Sequence, residues 1–302
     1  MFHYTCIVNP IAGKGGYKKH LPHLLSVLRE HGSSYRVLFT RYPGHGVDIA
    51  KKYQRSTDII VCFGGDGTLN EILQGQIDSS ASVFIFPSGT GNDIASSFGI
   101  TPQNATEILL RGITKRVPIA RVNNKPFLGV ASCGFDTYVN AIANNFPSFL
   151  KGRKIVYLLA ILLSCFAYRA PTMHVCLDKK RIQGTYLLMA VGHGDRYGGG
   201  MRITPRAKRD DTFLDVCLIR DVNRFRLLTK LPLLMNGKHI VLPEVYYSKA
   251  KHVSIEGNET IFADGEYRTK APATYSISDS TIRMILPTII DSIPNSVPSH
   301  VG

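Results

Sequence analysis

The motif Gly-Gly-Asp-Gly-Thr at positions 64–68 constrains the fold more than any other part of this sequence. An apolar run, residues 59–63, precedes the motif, and a segment with helical character, residues 69–73, follows it. The pattern predicts a buried strand that ends in a glycine turn and opens a helix. At such a turn, backbone N–H groups and the positive end of the helix dipole face an anion. A carboxylate is unfavourable beside a phosphate unless a metal is present or a proton must be taken, so Asp66 favours phosphoryl chemistry over passive nucleotide binding.

The first hundred residues alternate between strand and helix patterns. Apolar runs predict strands at residues 4–8, 35–40, 59–63 and 83–86. Leu21, Leu24, Leu25 and Leu28 recur at helical spacing, and Gly32 is placed to end that helix. Repeated β-α units of this length predict an α/β domain, with a mostly parallel sheet covered by helices on both faces.

The pattern changes after about Val122, where short alternating strands dominate. Strands are predicted at residues 172–177, 186–191, 214–219, 252–255 and 275–278, and a helix interrupts them at 154–168. This alternation predicts an antiparallel, sandwich-like second domain. A chain of 302 residues exceeds the usual size of one core, so two domains are expected. We place an α/β domain at 1–122 and a β-rich domain at 123–280. A final strand and a loose tail rich in Pro and Ser are predicted at 281–302.

Three predicted strand ends in the first domain carry turns of small residues, at 9–15, 64–68 and 87–93. In an open parallel sheet, the ligand crevice lies beyond the carboxyl ends of the strands. Three such turns at one edge suit a nucleoside triphosphate, whereas a single glycine turn is weak support. The residues around Lys14 lack the Walker spacing, and no Gly-x-Gly-x-x-Gly follows the first strand, which disfavours the two common nucleotide motifs.

The chain carries 36 basic and 22 acidic residues, which gives a formal net charge of +14. Such a balance calls for an anionic partner, such as a polyphosphate, a membrane surface or a nucleic acid. The basic residues are spread along the chain, and no nucleic-acid-binding module is recognisable, so no nucleic-acid partner is expected. The sequence leaves open whether the protein forms a homodimer.

Other features indicate a cytoplasmic protein, and peripheral contact with lipid becomes the expectation only with a lipid substrate. The six cysteines show no Cys-x-x-Cys spacing and lie mostly in apolar runs, as expected for reduced core residues. The first residues lack the features of a signal peptide. An apolar segment at 155–168 is too short to cross a bilayer, which requires about 20 residues, so a buried helix is predicted there.

These motifs give the chain a specific resemblance to the diacylglycerol kinase catalytic-domain family, especially the soluble bacterial lipid kinases. The resemblance covers residues 1 to about 286. It rests on Asn9-Pro10-x-Ala12-Gly13 and on the motifs at 64–71, 89–93, 134–136, 198–201 and 264–266. The Gly-Gly-Asp-Gly-Thr motif alone also resembles NAD kinases and phosphofructokinases, whose fold it implies for the first domain. The motifs at 89–93 and 264–266 select the lipid kinases.

The resemblance implies that ATP lies across the first turn, near the end of the second strand, around the second turn and against the third. The implied ATP-binding residues are Asn9, Pro10, Ile11, Ala12, Gly13, Thr40, Gly64, Gly65, Asp66, Gly67, Thr68, Leu69, Asn70, Glu71, Thr90 and Asp93. The same resemblance implies Mg²⁺ with the nucleotide.

The resemblance also implies a structural Mg²⁺ in the second domain. Asp211 would provide the carboxylate, and Lys208 and Phe213 would provide backbone carbonyls. Oxygen ligands of this kind suit a hard cation. The sequence departs from the family at Thr212, where glycine is usual.

Glu266 matches the position that acts as general base in the family. A lipid hydroxyl is a poor nucleophile at neutral pH, and a carboxylate can orient it and accept its proton. Asp66, Asp93 and Asp264 would support magnesium or hold Glu266 in place. Taken alone, Asp-Gly-Glu at 264–266 is typical of a hairpin turn, and only the resemblance gives it a catalytic role.

The sequence therefore predicts an ATP-dependent lipid kinase that acts on diacylglycerol at an anionic membrane surface and forms phosphatidic acid. Two alternatives remain open at this point. The acceptor could instead be a sphingoid base, phosphatidylglycerol or NAD. The fold could also serve as a non-catalytic nucleotide-binding regulator, although such a protein would be expected to lack Asp66 or Glu266, and both are present.

Overall fold

A parallel sheet forms the centre of the N-terminal half in the computed structural model, which describes residues 1–146, 154–209 and 211–288. Its strands are β1 (His3–Val8), β2 (Ser34–Phe39), β3 (Ile59–Gly64) and β4 (Ser82–Pro87), in the spatial order β4-β3-β1-β2. All neighbouring pairs are parallel. Every residue of β3 and β4 is buried, as expected for continuous apolar strands that are covered on both faces.

Helices connect these strands and cover the sheet. They are α1 (Tyr17–Glu30), α2 (His45–Tyr53), α3 (Asp66–Gln76), α4 (Asp93–Ser97) and α5 (Ala105–Arg111), with a short 3₁₀ turn at Ala12–Lys14. Leu21, Leu24 and Leu28 of α1 are buried against the sheet, and Gly32 follows the helix in a left-handed conformation. The predicted helical spacing and its glycine stop are confirmed.

The second half is built from antiparallel strands. They are β5 (Ile113–Val122), β6 (Lys125–Phe127), β7 (Val130–Gly134), β8 (Thr172–Leu177), β9 (Lys180–Gly192), β10 (Leu214–Arg220), β11 (Val245–Ala250), β12 (His252–Glu256), β13 (Thr260–Ala263), β14 (Glu266–Lys270) and β15 (Ala273–Leu286). The helices of this half are α6 (Phe135–Asn145), α7 (Lys154–Ala167) and α8 (Arg224–Met235), with a 3₁₀ turn at Lys238–Val241.

Two layers share the long strand β9 in this half. One end of β9 pairs with β8, and β8 pairs in turn with β12. The other end of β9 pairs with β7 and β10, which connect to β13, β14 and β11. The described residues form one apolar cluster around the parallel sheet and two in the second half.

The final strand, β15, differs from the sequence-based expectation. Two strands were expected, at 275–278 and 280–286, but one strand spans both with a register shift between Ser278 and Thr281. Its first part pairs with β12 of the second half, and Met284 pairs with Val83 of β4 in the parallel sheet. The strand therefore joins the two halves. The predicted tail lies outside the described residues from position 289 onward.

Within the described ranges, no helix is long and apolar enough to cross a membrane. The predicted helix at 154–168 corresponds to α7, which buries Ala160 and Cys165 and packs against α6. All six cysteines lie in the described part of the chain, none of them forms a disulfide, and only Cys176 is not fully buried.

Candidate active site

The three small-residue turns meet at the carboxyl edge of the parallel sheet. Asn9, which follows β1, donates from Nδ2 to Thr68 Oγ1 at 2.9 Å and so joins the first turn to the second. Gly13 has a φ of +53°, and a Cβ there would collide with the carbonyl oxygen of Ser88 in the third turn. A Cβ on Gly89 would lie 2.8 Å from the backbone nitrogen of Gly65. The turns pack backbone against backbone, which only glycine permits at these points.

Asp66 is the first residue of α3, and its carboxylate contacts the start of α4 instead of its own helix. Oδ2 accepts the N–H of Asp93, and Oδ1 accepts the N–H of Ile94, both at 3.0 Å. These two amides belong to the free N–H groups at the N-terminus of α4, where a negative charge is favourable. Asp66 therefore joins the second turn to the third.

Asp93 and Glu71, both predicted to contact ATP, hold other parts of the protein. Asp93 Oδ2 accepts the N–H of Gly199 at 2.8 Å, which brings the motif at 198–201 to the edge of the first domain. Burial raises the pKa of Asp93, and the hydrogen bond from Gly199 opposes this rise. Glu71 accepts the N–H groups of Gly44 and Gly46 at 2.8 and 2.9 Å, which fixes the start of α2. The side chains of these two residues thus have structural partners beside the predicted nucleotide site.

Glu266 lies at the start of β14 in the second half but reaches helix α3 of the first. Its Oε2 accepts a hydrogen bond of 2.9 Å from Asn70 Nδ2 and lies 3.2 Å from Arg268 Nη1. Burial raises the pKa of Glu266, the Arg268 guanidinium opposes this rise, and the nearby charge of Glu71 adds to it. Glu266 lies beside the glycine turn at 64–68. A carboxylate with a raised pKa in that position can act as a proton acceptor.

Asp264 occupies the hairpin turn between β13 and β14. The motif at 264–266 is therefore a hairpin turn, and it also carries the candidate base Glu266. It adopts a φ of +53°, in the left-handed region. Oδ2 accepts the N–H of Leu128 at 2.9 Å, and Oδ1 accepts the N–H of Gly129 at 2.8 Å. Burial raises the pKa of Asp264, and the bond from Leu128 opposes this. Both oxygens bind backbone amides, and this holds the turn that carries Glu266.

Thr40 and Thr90 occupy the remaining predicted positions around the nucleotide site. Thr40 follows β2, and its N–H donates to the Val8 carbonyl at 2.9 Å, which places it beside the first turn. Thr90 lies in the third turn, where Asn92 closes the loop by exchanging hydrogen bonds of 3.0 Å with the backbone of Gly89. The structure therefore brings the predicted nucleotide residues to one edge of the sheet.

The predicted metal residues Lys208, Asp211 and Phe213 lie in a different loop, directly before β10. Asp211 donates its N–H to the Lys208 carbonyl at 3.0 Å, and its carboxylate forms an ion pair with Lys249. The Lys249 ammonium lowers the pKa of Asp211. Asp210, the neighbouring residue, lies outside the described ranges.

The Asp211 carboxylate and the backbone carbonyls of Lys208 and Phe213 are oxygen ligands of the kind that Mg²⁺ prefers. Asp215 is fully buried; its Oδ1 accepts the Tyr247 hydroxyl at 2.8 Å, while Oδ2 has no hydrogen-bond partner in the described part of the chain. Lys249 Nζ lies 3.9 Å from that second oxygen. Among the described residues, no group of three or more His, Cys, Asp or Glu side chains is arranged to hold a metal. The described part of the loop therefore offers the Asp211 carboxylate, backbone carbonyls and the nearby buried carboxylate of Asp215.

The structure also shows two arginines that the sequence-based interpretation missed. Arg268 is buried beside Glu266, and its Nε and Nη2 have no hydrogen-bond partners within the described ranges. Arg209 is partly buried and donates to the Leu128 carbonyl at 3.0 Å. Sequence patterns assign neither arginine a role, because arginine is rarely buried and is usually a surface charge. For Arg268, the period of two along β14, which places it on the face of Glu266, is the signal that could have identified it.

Known protein families and relatives agree with this geometry. Residues 3–122 match the diacylglycerol kinase catalytic domain, and residues 129–286 match the YegS C-terminal NAD kinase beta sandwich-like domain. A diacylglycerol kinase from Mycobacterium tuberculosis is 30% identical over 295 residues, which cover 94% of this chain and 94% of the relative. A diacylglycerol kinase from Bacillus subtilis is 26% identical over 291 residues, covering 93% of this chain and 95% of the relative.

Solved structures show the same architecture. One from Bacillus anthracis, provisionally named a diacylglycerol kinase, has a TM-score of 0.77 at 25% identity and covers 95% of this chain and 96% of its own. A second from that organism has a TM-score of 0.72 at 20% identity, covers 95% and 98%, and shows the shared fold. The predicted α/β domain followed by a β-sandwich-like domain is confirmed. This chain therefore belongs to the diacylglycerol kinase family, and it is a kinase.

Proposed function

We propose that this kinase transfers the γ-phosphoryl group of ATP to the hydroxyl of diacylglycerol and releases phosphatidic acid and ADP. The observation that carries the proposal is the contact of Glu266, from the second half, with Asn70 of α3 in the first. Glu266 would thereby act as a proton acceptor at the turns that are predicted to bind the triphosphate. A nucleotide-binding regulator would have no need of it.

In the proposed reaction, the lipid hydroxyl oxygen forms a bond to the γ-phosphorus as the bond to the bridging oxygen of ADP breaks. Glu266 accepts the proton of the hydroxyl. Asn70 and Arg268 orient the Glu266 carboxylate, and Asp264 holds its turn. Positioning contributes most of the rate in phosphoryl transfer, since the reaction needs little covalent help.

Backbone N–H groups of the three turns would bind the phosphates of ATP, because glycines leave them open to a close anion. Mg²⁺, which accompanies ATP in the family, would neutralise phosphate charge when bound. A separate structural Mg²⁺ would be held by Asp211 with the carbonyls of Lys208 and Phe213, and there it would stabilise the loop before β10. Asp66 supports the site by joining the second and third turns.

We further propose that the protein reaches its substrate by contact with an anionic lipid surface. Helix α7 exposes Leu159, Leu163 and Phe166 along one face, and Phe166 is 75% exposed. These residues recur at i, i+4 and i+7, so they form a continuous apolar stripe. The net charge of +14 would attract the protein to acidic head groups. An apolar stripe on a basic protein is typical of peripheral membrane contact.

Sedimentation with phosphatidylglycerol-containing vesicles tests this contact. Phe166→Ser should lower vesicle binding several-fold, because it removes an exposed aromatic side chain from the apolar stripe. Added salt should weaken binding through screening. Phe2→Ser is the matched control, since Phe2 is 57% exposed and precedes β1, at the sheet edge opposite the predicted nucleotide turns. Equal binding by wild type and Phe166→Ser would contradict the proposed surface.

The acceptor is tested by presenting several lipids side by side. Transfer of labelled γ-phosphate from ATP·Mg²⁺ is measured with diacylglycerol, sphingosine, ceramide, phosphatidylglycerol and NAD in mixed micelles. Labelled phosphatidic acid would support the proposal. Label on another acceptor would support a kinase with a different substrate. The match of residues 129–286 to a YegS-type domain is the reason for including these other acceptors. Bound ATP without transfer to any acceptor would contradict the proposal.

A further inference from the structure

Arg209 belongs to the second half but contacts the first. Its Nη1 donates to Ser97 Oγ at the end of α4, and its Cζ lies 4.6 Å from the centroid of the Phe98 ring. Its Nε donates to the carbonyl of Leu128, between β6 and β7, at 3.0 Å. One guanidinium therefore joins the end of α4 in the first half to the segment between β6 and β7 in the second, and its planar fork allows these contacts simultaneously.

The contacts of Arg209 lead toward Asp66 in the first half and toward Glu266 in the second. Leu128, whose carbonyl accepts from Arg209, donates its own N–H to Asp264, two residues before Glu266. Ser97 ends α4, and the opposite end of this five-residue helix donates the amides of Asp93 and Ile94 to Asp66. A short helix moves as a rigid unit, so a contact at one end constrains the other. Arg209 is thus connected to Asp66 through α4, and to Glu266 through Leu128 and Asp264.

A second, independent observation shows that space is reserved for this side chain. Gly194 approaches the guanidinium so closely that a Cβ there would lie 2.8 Å from Cζ of Arg209 and closer still to Nη2. The backbone φ of Gly194 is not in the left-handed region, so its conformation does not require glycine. The absence of a side chain at position 194 therefore leaves the space that the Arg209 guanidinium occupies.

Arg209 is partly buried and its guanidinium is not fully paired. Its Nη2 is shielded from solvent and has no hydrogen-bond partner in the described part of the chain. A shielded, unpaired donor on a cation is costly to retain unless the other contacts of the side chain are needed.

We propose that Arg209 is a positioning residue that sets the distance between Asp66 and Glu266 across the cleft. It acts through Leu128 and α4 and contacts neither substrate. The inference rests on the proposed function, in which the nucleotide side and the acceptor side belong to different halves of the chain. Loss of Arg209 should therefore impair phosphoryl transfer while ATP binding, which needs the first half alone, is retained.

The test compares wild type, Arg209→Ala and Arg209→Lys by kcat and KM for ATP with diacylglycerol in mixed micelles. Arg209→Ala should lower kcat about tenfold or more and leave KM for ATP within about twofold, because misplacement of reacting groups affects the transfer step. Arg209→Lys should recover little, since an ammonium cannot reproduce the planar fork. Arg206→Met is the control: it lies in the same loop, and its guanidinium contacts the Tyr247 ring of the second half. This control should stay near the wild-type kcat.

Hydrogen exchange gives a readout that needs no acceptor. The amides of Leu128 and Gly129 and those of 93–94 should exchange faster in Arg209→Ala, while amides of β3 should not change. If wild type fails to phosphorylate diacylglycerol, the proposed function fails, and the exchange measurement still tests Arg209. Unchanged exchange and a kcat within twofold of wild type would overturn the inference.

Gly194→Ala provides a sharper test through its dependence on Arg209. In the wild-type background, the new methyl group should displace the guanidinium and lower kcat as Arg209→Ala does. In the Arg209→Ala background, the same substitution should have little further effect, because the two residues share one function. Independent, multiplicative losses would contradict the proposal.

Ser97→Ala removes only the acceptor of Nη1. It should give a smaller loss in kcat than Arg209→Ala, and it remains informative if Arg209→Ala does not fold.

Discussion

Two acidic loops of this kinase neutralise their carboxylates in different ways. In the turn at 64–68, Asp66 accepts two backbone N–H groups from the start of α4. In the loop at 208–213, Asp211 pairs with the ammonium of Lys249, and the same ammonium lies near the buried Asp215. The first arrangement is rigid because backbone donors cannot leave without moving α4. The second can exchange one cation for another, so it suits a structural ion and not a reacting group.

The largest effect is expected from a substitution of Asp66 that disrupts the turn at 64–68. Asp66→Asn replaces one acceptor oxygen with an N–H₂ group that faces a backbone N–H, so the third turn must move. We expect kcat for phosphoryl transfer to fall about 100-fold or more, as for a misplaced reacting group. Asp58→Asn is the matched control, since Asp58 accepts the N–H of His3 at 2.8 Å before β3, away from the turns. A kcat for Asp66→Asn within a few-fold of wild type would show that the turn tolerates loss of this link.

The second loop is tested by removing its cation. Lys249→Met leaves Asp211 and the buried Asp215 uncompensated, so the protein should lose about 1–2 kcal/mol of stability in the presence of EDTA. The loss is smaller than for a fully buried pair because the Lys249 side chain is 40% exposed. Thermal melts with Mg²⁺ should recover most of the difference, because the ion replaces the missing charge. A melting temperature independent of Mg²⁺ in both proteins would contradict a metal site in this loop.

The pH dependence of transfer sharpens the role of Arg268. Glu266 must be ionised to accept a proton, and its pKa is raised mainly by burial, so activity should decline as the pH falls through a value above that of an ordinary glutamate. Arg268→Met removes the guanidinium that opposes this rise, so the acidic limb of the kcat profile should move to higher pH. Lys270→Met, at the exposed end of the same strand, should leave the limb in place. A limb that does not move would assign Arg268 to packing alone.

The smallest effect is expected at Thr212, where the family usually has glycine. Thr212 is exposed and is not in the left-handed region, so this loop accommodates a side chain without strain. Thr212→Gly should therefore lower the unfolding free energy by about 0.5–1 kcal/mol, because glycine loses more conformational freedom on folding. The melt in EDTA and in Mg²⁺ should shift equally. A gain in stability confined to Mg²⁺ would show that threonine hinders the ion.

The sequence could predict those parts of the site whose partners are local or belong to another motif. Asp66, Asn9 and Gly89 were found because strand, turn and helix patterns mark the same edge of a parallel sheet. The contact between Asn70 and Glu266 spans 196 positions, and only the family resemblance connected those motifs. Periodicity has no means of joining residues that far apart.

Other features were outside the reach of sequence patterns. Arg209 and Arg268 look like surface charges in a chain with 36 basic residues, and their burial depends on tertiary packing. The pairing of Lys249 with Asp211 has no local signal for the same reason. The sequence predicts two strands in place of β15, because the polar residues at Ser278–Ser280 resemble a turn. In the structure these residues form a register shift within one continuous strand.

The most direct test of the central claim is phosphoryl transfer by Glu266→Gln. The glutamine keeps the shape of the side chain and an oxygen that can accept from Asn70, but it cannot accept a proton. With saturating ATP·Mg²⁺ and diacylglycerol, we predict a loss of about 100-fold or more in kcat together with unchanged ATP affinity. Transfer at the wild-type rate, or a loss matched by an equal loss of ATP binding, would contradict the assignment of Glu266 as the base that the second half contributes.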